Sequence, residues 1–577
     1  MDLGGATSST GPINNVTSTG TVHPSSQRSM TQAQLYNHAN SVGGIESISA
    51  RSQVLANEDL LDLIFSYFDP AFFEDILTMD STTKSALLSV CLTCKSFYTP
   101  ALDLLWRVMN SIIPIFKLIP AFTKVNDTYT LSGVINQYHI ARLEMHTRKI
   151  RCLHLKTPHD AIPSHILFRF THLRKFSLFP ALTRLHIPSL AVEYLRGIEG
   201  LNFLFLAHGK SLSTITLGGI NASTDAFTSS FLSALSQECE SIQKLTLTGR
   251  LTPDTLHFVS EFQHLQTLNL TFDAAIVEVE FIQLCSHLMS LTHFIIHLQA
   301  SSTVHNPSGV GKGAIHGFDA LQELQISAPP PDALRILEVI SKAGSVKVIS
   351  LSCPFFSARD ISATALSIKS CIGESCRISP SMSSLTVQMG NNNTVVLPRN
   401  SLSPLLACKN LRYFALTGIS LAITDDDISQ ICEEGGWENL TVLWLPPSAP
   451  GSSPSLSSLH VLATHCPKIH VLAIPIDFSL DFSNLNDMRL HPRRPHGLQH
   501  LTVIRSALNR LHEDSGTTIA TAIGVSRFLE YQFPFLCKSV LSGGTGSSDW
   551  WNTVKSLMKE YKLIRVEERR KDDDETV

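Results

Sequence analysis

Few side chains in this 577-residue chain stand at spacings that chemistry uses. Cys91-Leu-Thr-Cys94 has the C-x-x-C spacing of a redox or zinc pair. A structural zinc needs four ligands, however, and no second pair accompanies this one, which sits in a stretch that reads as helix; core packing is the expected role. Cys371 and Cys376 are expected in an irregular loop without neighbouring histidines. His293 and His297 are four apart, but the local pattern is that of a strand, where they share one solvated face rather than forming a helical metal pair. Gly209-Lys210-Ser211 ends like a phosphate-binding loop, yet Leu204 stands where its first glycine belongs. Gly309-Val-Gly311-Lys-Gly313 lacks the following Ser or Thr and the strand-to-helix setting. Neither G-x-S-x-G nor H-E-x-x-H occurs. No catalytic residue, metal ligand or cofactor site is expected, so function must lie in surfaces.

Composition points the same way. Hydrophobic residues make up 43% and charged ones 16%, against a usual charged share of about 25%, which allows a large core under a sparsely charged surface. A net charge of −4 leaves no electrostatic footprint for nucleic acid or an anionic membrane. The N-terminus lacks a basic stretch followed by an apolar one, and no apolar run reaches about 18 residues. Twelve irregularly spaced cysteines suit reduced thiols. The expected setting is therefore cytoplasmic or nuclear, not secreted and not in a membrane.

Residues 1–50 are rich in Ser, Thr, Asn and Gly and cannot bury enough surface to order themselves, so disorder is expected there. A helical block follows over 51–110. Asn57 can cap a helix with Glu58 and Asp59 in its first turn, and Leu60, Leu61, Ile64, Phe65 and Phe68 share one broad face. Asp69-Pro70 stops it. A second helix carries Leu87, Leu88, Cys91 and Leu92, and Pro100 opens a third with Leu105 and Trp106 inward. Three short helices make a thin core, so part of the apolar surface, around Leu55 and Leu60, is expected to face a partner. Residues 111–149 form a linker, with a short helix around Ile112–Phe122.

From Ile150 a unit of the form L-x-x-L-x-L recurs to residue 510. It starts at Ile150, Leu173, Leu201, Leu212, Ile242, Leu265, Leu291, Leu321, Val346, Met382, Leu411, Leu440, Ile469 and Leu498. The last five starts are 29 apart. This is the leucine-rich-repeat signature, in which each unit is a strand and a return segment that can bury its apolar face only against its neighbours. The usual Asn or Cys beyond the last leucine is replaced by Pro158, Ala181, Arg250, Gln299, Pro354 or Ser448, so no asparagine ladder is expected. The fold class is an α/β solenoid: an N-terminal three-helix domain, a curved repeat array and a helical cap over 511–568, ending in a charged tail over 569–577. Residues between the leucines should point to the concave face, polar in the middle (Lys244, Thr246, Asn269, Gln325) and aromatic at Phe203, Phe205, Tyr413 and Trp444, which are the candidate target-binding anchors.

The block from Leu55 to Trp106 resembles an F-box domain, in the form common in large families of basidiomycete fungi. The matching residues are Leu55, Glu58-Asp59-Leu60-Leu61, Ile64, Phe65, Tyr67, Phe68-Asp69-Pro70, Leu92–Phe97 and Pro100–Trp106. Ala56 stands where the family's opening proline would be. Ile519–Arg570, with Val525–Leu529, Phe533-Pro534 and Trp551–Glu568, resembles the closing helices of the same family. The resemblance implies that Leu55, Leu60, Leu61, Ile64, Phe65, Phe68 and Pro70 bind a Skp-type adaptor and, through it, a cullin scaffold. The repeats would hold a target protein for ubiquitination. The alternative is a repeat scaffold unconnected to ubiquitination, whose helical block only caps the array.

Overall fold

The alternation within each repeat unit makes a strand, with two apolar side chains on one face and their neighbours on the other. The computed structural model describes residues 53–55, 57–68, 81–126, 128–155, 162–173, 178–190, 204–207, 209–273, 276–299, 303–305, 317–340, 344–354, 361–390, 395–434, 437–478, 496–504, 517–542 and 548–575. The chain divides into two units, Met1–Leu63 and Ile64–Val577. In the second, one 15-stranded sheet follows chain order, with every neighbouring pair parallel. Its strands are β1 (Val108–Met109), β2 (Cys152–His154), β3 (Arg184–Ile187), β4 (Thr214–Ile220), β5 (Lys244–Gly249), β6 (Thr267–Phe272), β7 (His293–Leu298) and β8 (Glu323–Ser327). They continue as β9 (Val348–Cys353), β10 (Ser384–Met389), β11 (Tyr413–Thr417), β12 (Val442–Trp444), β13 (Val471–Pro475), β14 (His500–Ile504) and β15 (Lys538–Ser542). Helices precede, link and close them: α1 (Glu58–Ser66), α2 (Ser81–Thr93), α3 (Lys95–Arg107), α4 (Ala222–Glu238), α5 (Pro253–Val259) and α6 (Pro330–Ile340), then α7 (Ile361–Ile378), α8 (Asp425–Glu433), α9 (Leu456–His465), α10 (Thr517–Gln532) and α11 (Ser548–Glu575). This is an α/β solenoid of leucine-rich repeats.

Twelve of the fourteen expected units are strands; Arg174–Ser177 of LRKFSL and Leu201–Phe203 of LNFLFL lie outside the described residues. Leu173 ends a helix (Ser164–Leu173), and LNFLFL runs into a helical turn (Leu204–Ala207). The starts at Leu201 and Leu212 leave five residues between units, too few for a parallel crossover of a dozen or more. The strand in this region is β3, on LTRLHI from Leu182. Starts at Ile150, Leu182, Leu212 and Ile242 are then 32, 30 and 30 apart, and the early spacing becomes regular. β15, from Leu536, lies inside the segment expected to be a helical cap; Ser539 occupies its second apolar position, which hides the unit.

The residue after each first leucine carries the stacking. The Thr183 carbonyl accepts from the backbone N–H groups of Ser213 (2.9 Å) and Thr214 (3.0 Å) in the next coil. The Ser213 hydroxyl adds a third bond to the same oxygen at 3.1 Å. The same three-donor arrangement holds from Thr183 to Arg151, Thr292 to Gln266, Ser383 to Lys347 and Thr441 to Arg412. Ser and Thr hydroxyls thus reinforce these junctions from the position after the first leucine. A second tie joins return helices. Buried Asp225 of α4 accepts from Thr252 N (3.3 Å) and Thr255 Oγ1 (2.9 Å) at the start of α5. Asp425 of α8 likewise accepts from Ser455 N (2.9 Å) and from the Ser458 hydroxyl at the start of α9. Two glycines permit the coils to touch at strand exits. A Cβ at Gly249 (φ +138°) or Gly418 (φ +82°) would meet the carbonyl oxygen of Ile220 or Met389 in the preceding coil at 2.1 Å.

Several local expectations change. Asn57 caps α1 as read, accepting from Leu60 N at 3.0 Å. α3 begins at Lys95, so Pro100 lies inside the helix rather than opening it and leaves one carbonyl of the preceding turn without a backbone donor. Cys371 and Cys376 are buried in α7, not in a loop. The tail, read as solvated and frayed, continues α11 to Glu575, helped by strong helix formers. α10 and α11 close the sheet with Ala522, Val525, Leu529, Trp551, Val554 and Met558 buried. There, Arg565 pairs with buried Glu530 at 3.1 Å. Residues 1–50, Gly309–Gly313 and Pro70 lie outside the described residues.

Asp425→Ala removes the acceptor for Ser455 N–H and the Ser458 hydroxyl. Urea unfolding followed by circular dichroism is expected to show a loss of about 1–3 kcal/mol, while Glu433→Ala, exposed on the same helix, changes stability by less than about 0.5 kcal/mol. Equal effects from the two variants would remove the tie from the account of stacking.

Candidate functional site

The register gives the outward face an orderly lattice. One row runs Cys152, Arg184, Thr214, Lys244, Thr267, His293, Glu323, Val348, Ser384, Tyr413, Val442, Val471, His500, Lys538, each in register with the next. Two residues along, a parallel row includes Thr246, Asn269, Ile295, Gln325, Ser350, Thr386, Ala415, Trp444, Ala473, Thr502 and Val540. The residues between these rows, such as Leu245, Leu268, Phe294, Leu324 and Phe414, are buried. Over β5–β10 the face is largely polar and carries few charges. His293 Nε2 stands 3.6 Å from Glu323 Oε2, and burial pushes the His297 imidazole below its ordinary range. From β11 onward the rows turn apolar: Tyr413 is 36% exposed and Trp444 40%, with Val442 and Val471 half-buried and Val540 exposed. Trp444 sits in register between Ala415 and Ala473, both buried. The three valines were not read from the sequence; Val442 and Val471 share the outward row of Tyr413 and Val540 that of Trp444, and register alone finds them.

The other two candidate anchors differ. Phe203 lies outside the described residues. Phe205 is not on a strand face: its half-buried ring packs edge-on against Phe227 (5.4 Å) and Phe231 (5.8 Å) of α4. The helical turn there removes the strand alternation that would have turned it outward.

The second surface is on α1, where the broad face read from the sequence splits in two. Leu61 and Phe65 are buried, and the Phe65 ring meets Phe97 edge-on at 5.8 Å. They anchor the helix and are not available to a partner. Leu60 (41% exposed), Ile64 (47%) and Phe68 (54%) form the neighbouring stripe and remain open, together with Leu63 and Tyr67, which the sequence reading had not singled out as anchors. Leu60, Leu63 and Ile64, at offsets of 0, 3 and 4, share one side of α1, and Tyr67 and Phe68 follow in the turn beyond Ser66. Leu55 is half-buried. Leu88, Leu92 and Tyr98 on α2 and α3 are exposed as well.

Among the described residues, no group of three or more His, Cys, Asp or Glu could hold a metal ion, and no helix is long and apolar enough to cross a membrane. Cys91 is buried in α2, its Sγ 3.9 Å from the Tyr98 carbonyl, and Cys94 precedes α3. Gly209 is a turn residue whose carbonyl accepts from Leu212 N.

No protein family's sequence profile matches the chain, and no curated protein matches it. Among solved structures, a leucine-rich-repeat protein of Leptospira interrogans aligns at 12% identity over 58% of this chain and 79% of that one, with a TM-score of 0.29. An internalin from Listeria monocytogenes aligns at 11% identity over 67% and 96%, with a TM-score of 0.31. The Rad7 and Elc1 complex of yeast aligns at 12% identity over 85% and 97%, with a TM-score of 0.29. Superpositions this loose carry no argument, and the fold assignment rests on the strand register and hydrogen bonding above.

The thiols give a direct check on the packing. Ten of the twelve cysteines are buried, Cys94 is intermediate and Cys537 exposed. Burial raises the thiols of Cys152 and Cys285 and pushes Cys353 up to about 12, which keeps them protonated near neutral pH. A thiol titration of the native protein near neutral pH is expected to modify Cys537, then Cys94, and to reach the other ten only after unfolding. Rapid reaction of many thiols would contradict the stacked core.

Proposed function

We propose that this chain is a non-catalytic target-recruiting subunit of an SCF-type (cullin–RING) ubiquitin ligase. The block at 51–110 acts as an F-box that binds a Skp-type adaptor, and the array at 150–510 holds a target protein, with 511–568 as its cap. The observation that carries this reading is the open stripe of Leu60, Leu63, Ile64, Tyr67 and Phe68. Exposed large apolar residues close together in the chain mark a surface awaiting a partner. The F-box resemblance of Leu55–Trp106 names the partner's kind. Of the residues that resemblance implied, Leu60, Ile64 and Phe68 are exposed, and adaptor contact is assigned to them on that ground.

The mechanism is proximity. Holding a target beside a charged conjugating enzyme raises the effective concentration of its lysines, which requires binding surfaces and no catalytic side chain in this chain.

The test is co-purification of the full chain with a Skp-type adaptor. Leu60→Arg with Ile64→Arg should abolish the complex while leaving the far-ultraviolet circular dichroism unchanged, because both side chains are already partly in water. Adaptor binding retained by the folded double variant would reject the F-box reading and favour the scaffold.

A further inference from the structure

The outward face is not uniform, and its last five strands combine two features. The first is the apolar strip of Tyr413, Val442, Val471 and Trp444. The second is a basic margin on the coils that lead into these strands. Lys409 and Arg412 precede β11, Lys468 and His470 precede β13, and His500 and Lys538 are the first residues of β14 and β15; all six are exposed. The margin is tied together: Lys468 Nζ donates to Asn439 Oδ1 at 2.6 Å, and Asn439 Nδ2 donates to the Lys409 carbonyl at 3.1 Å. His500 and Lys538 lie on the same outward row as Tyr413, Val442 and Val471. On the described coils just ahead of these strands, Glu438 is the one opposing charge. Over β5–β9 the equivalent positions are Gln243-Lys244, Gln266-Thr267, Thr292-His293, Gln322-Glu323 and Lys347-Val348, where Glu323 interrupts the basic residues.

We infer that the face of β11–β15 docks an extended, carboxylate-rich segment of a partner protein, with apolar side chains seated on Trp444 and Tyr413 and its Asp or Glu residues against the basic margin. This deepens the proposed function and rests on its reading that the outer sheet face holds the target. Charge complementarity chooses the occupant: a basic segment would meet like charge, and a purely apolar one would leave the cations unpaired. The spacing chooses carboxylates over phosphate. Strands lie about 4.8 Å apart, so Arg412 just ahead of β11 and Lys538 on β15 are separated by four strand intervals and the cations are spread along a line. A phosphate site gathers two or three cations on one point.

The experiment uses the full chain without adaptor and a fluorescein-labelled short peptide alternating Glu or Asp with Leu or Phe, alongside the same peptide with Lys at every acidic position. Fluorescence anisotropy should show the acidic peptide binding at least tenfold more tightly, with affinity falling as salt rises. Trp444→Ala, and separately Arg412→Glu with Lys538→Glu, should each weaken it about tenfold. Should Trp444→Ala lower the thermal midpoint, Tyr413→Ser replaces it, with the same weakening expected. Equal binding of the acidic and lysine peptides, or variants that bind like the parent, would overturn the inference. Because no adaptor is present, such a failure leaves the adaptor result on Leu60 and Ile64 untouched, and loss of adaptor binding there says nothing against this surface.

Discussion

The stacking depends on a single carbonyl per coil. In five pairs of neighbouring coils it accepts two backbone N–H groups and a hydroxyl from the next. Each bond alone contributes about 1 kcal/mol net. A single coil cannot hold itself, because fixing its backbone costs about 1–2 kcal/mol per residue and its apolar side chains have nothing to cover them. Repeated from coil to coil, these bonds hold the strands in one register, and that register decides which side chains are core and which are surface. Tyr413 and Val442 face outward for the same reason that Phe414 and Leu443 face inward.

The two candidate surfaces differ in kind. The outward face of β5–β15 belongs to a rigid lattice whose positions are fixed by backbone pairing. The α1 stripe belongs to a short helix whose buried side, Leu61 and Phe65, is small. A sheet face of this sort suits selection among partners, and a helix with a large open side suits obligate association with one.

Much of the fold was legible because the L-x-x-L-x-L period is a direct imprint of alternating burial. The failures have physical causes. LNFLFL satisfies the pattern letter by letter, but the pattern takes no account of the residues needed to return a parallel chain to the unit at Leu212, a requirement that LTRLHI from Leu182 meets. β15 was hidden by Ser539 at an apolar position, tolerable because the strand ends the sheet. The Asp225 and Asp425 ties could not be read at all, since the partners lie 27 to 33 residues away and any Ser, Thr or backbone N–H can serve. At the sites, Tyr413 and Trp444 stood out by size, whereas Val442 and Val471 look like core until the register shows their neighbours pointing inward. Leu61 and Leu60 are adjacent and chemically identical, so only the packed structure separates anchor from open surface.

Return segments vary widely, from 23 residues between the starts at Ile242 and Leu265 to 36 between Val346 and Met382, yet the paired residues across both junctions keep the same offset from their first leucine. Insertions and deletions on the far side of each coil are therefore insulated from the outward lattice. Such a chain can diverge in length and loop composition without disturbing its recognition grid, and it can rewrite that grid one position at a time by substitution on a strand. Length polymorphism and specificity become independent variables, a separation that suits a receptor whose partners change while its architecture does not.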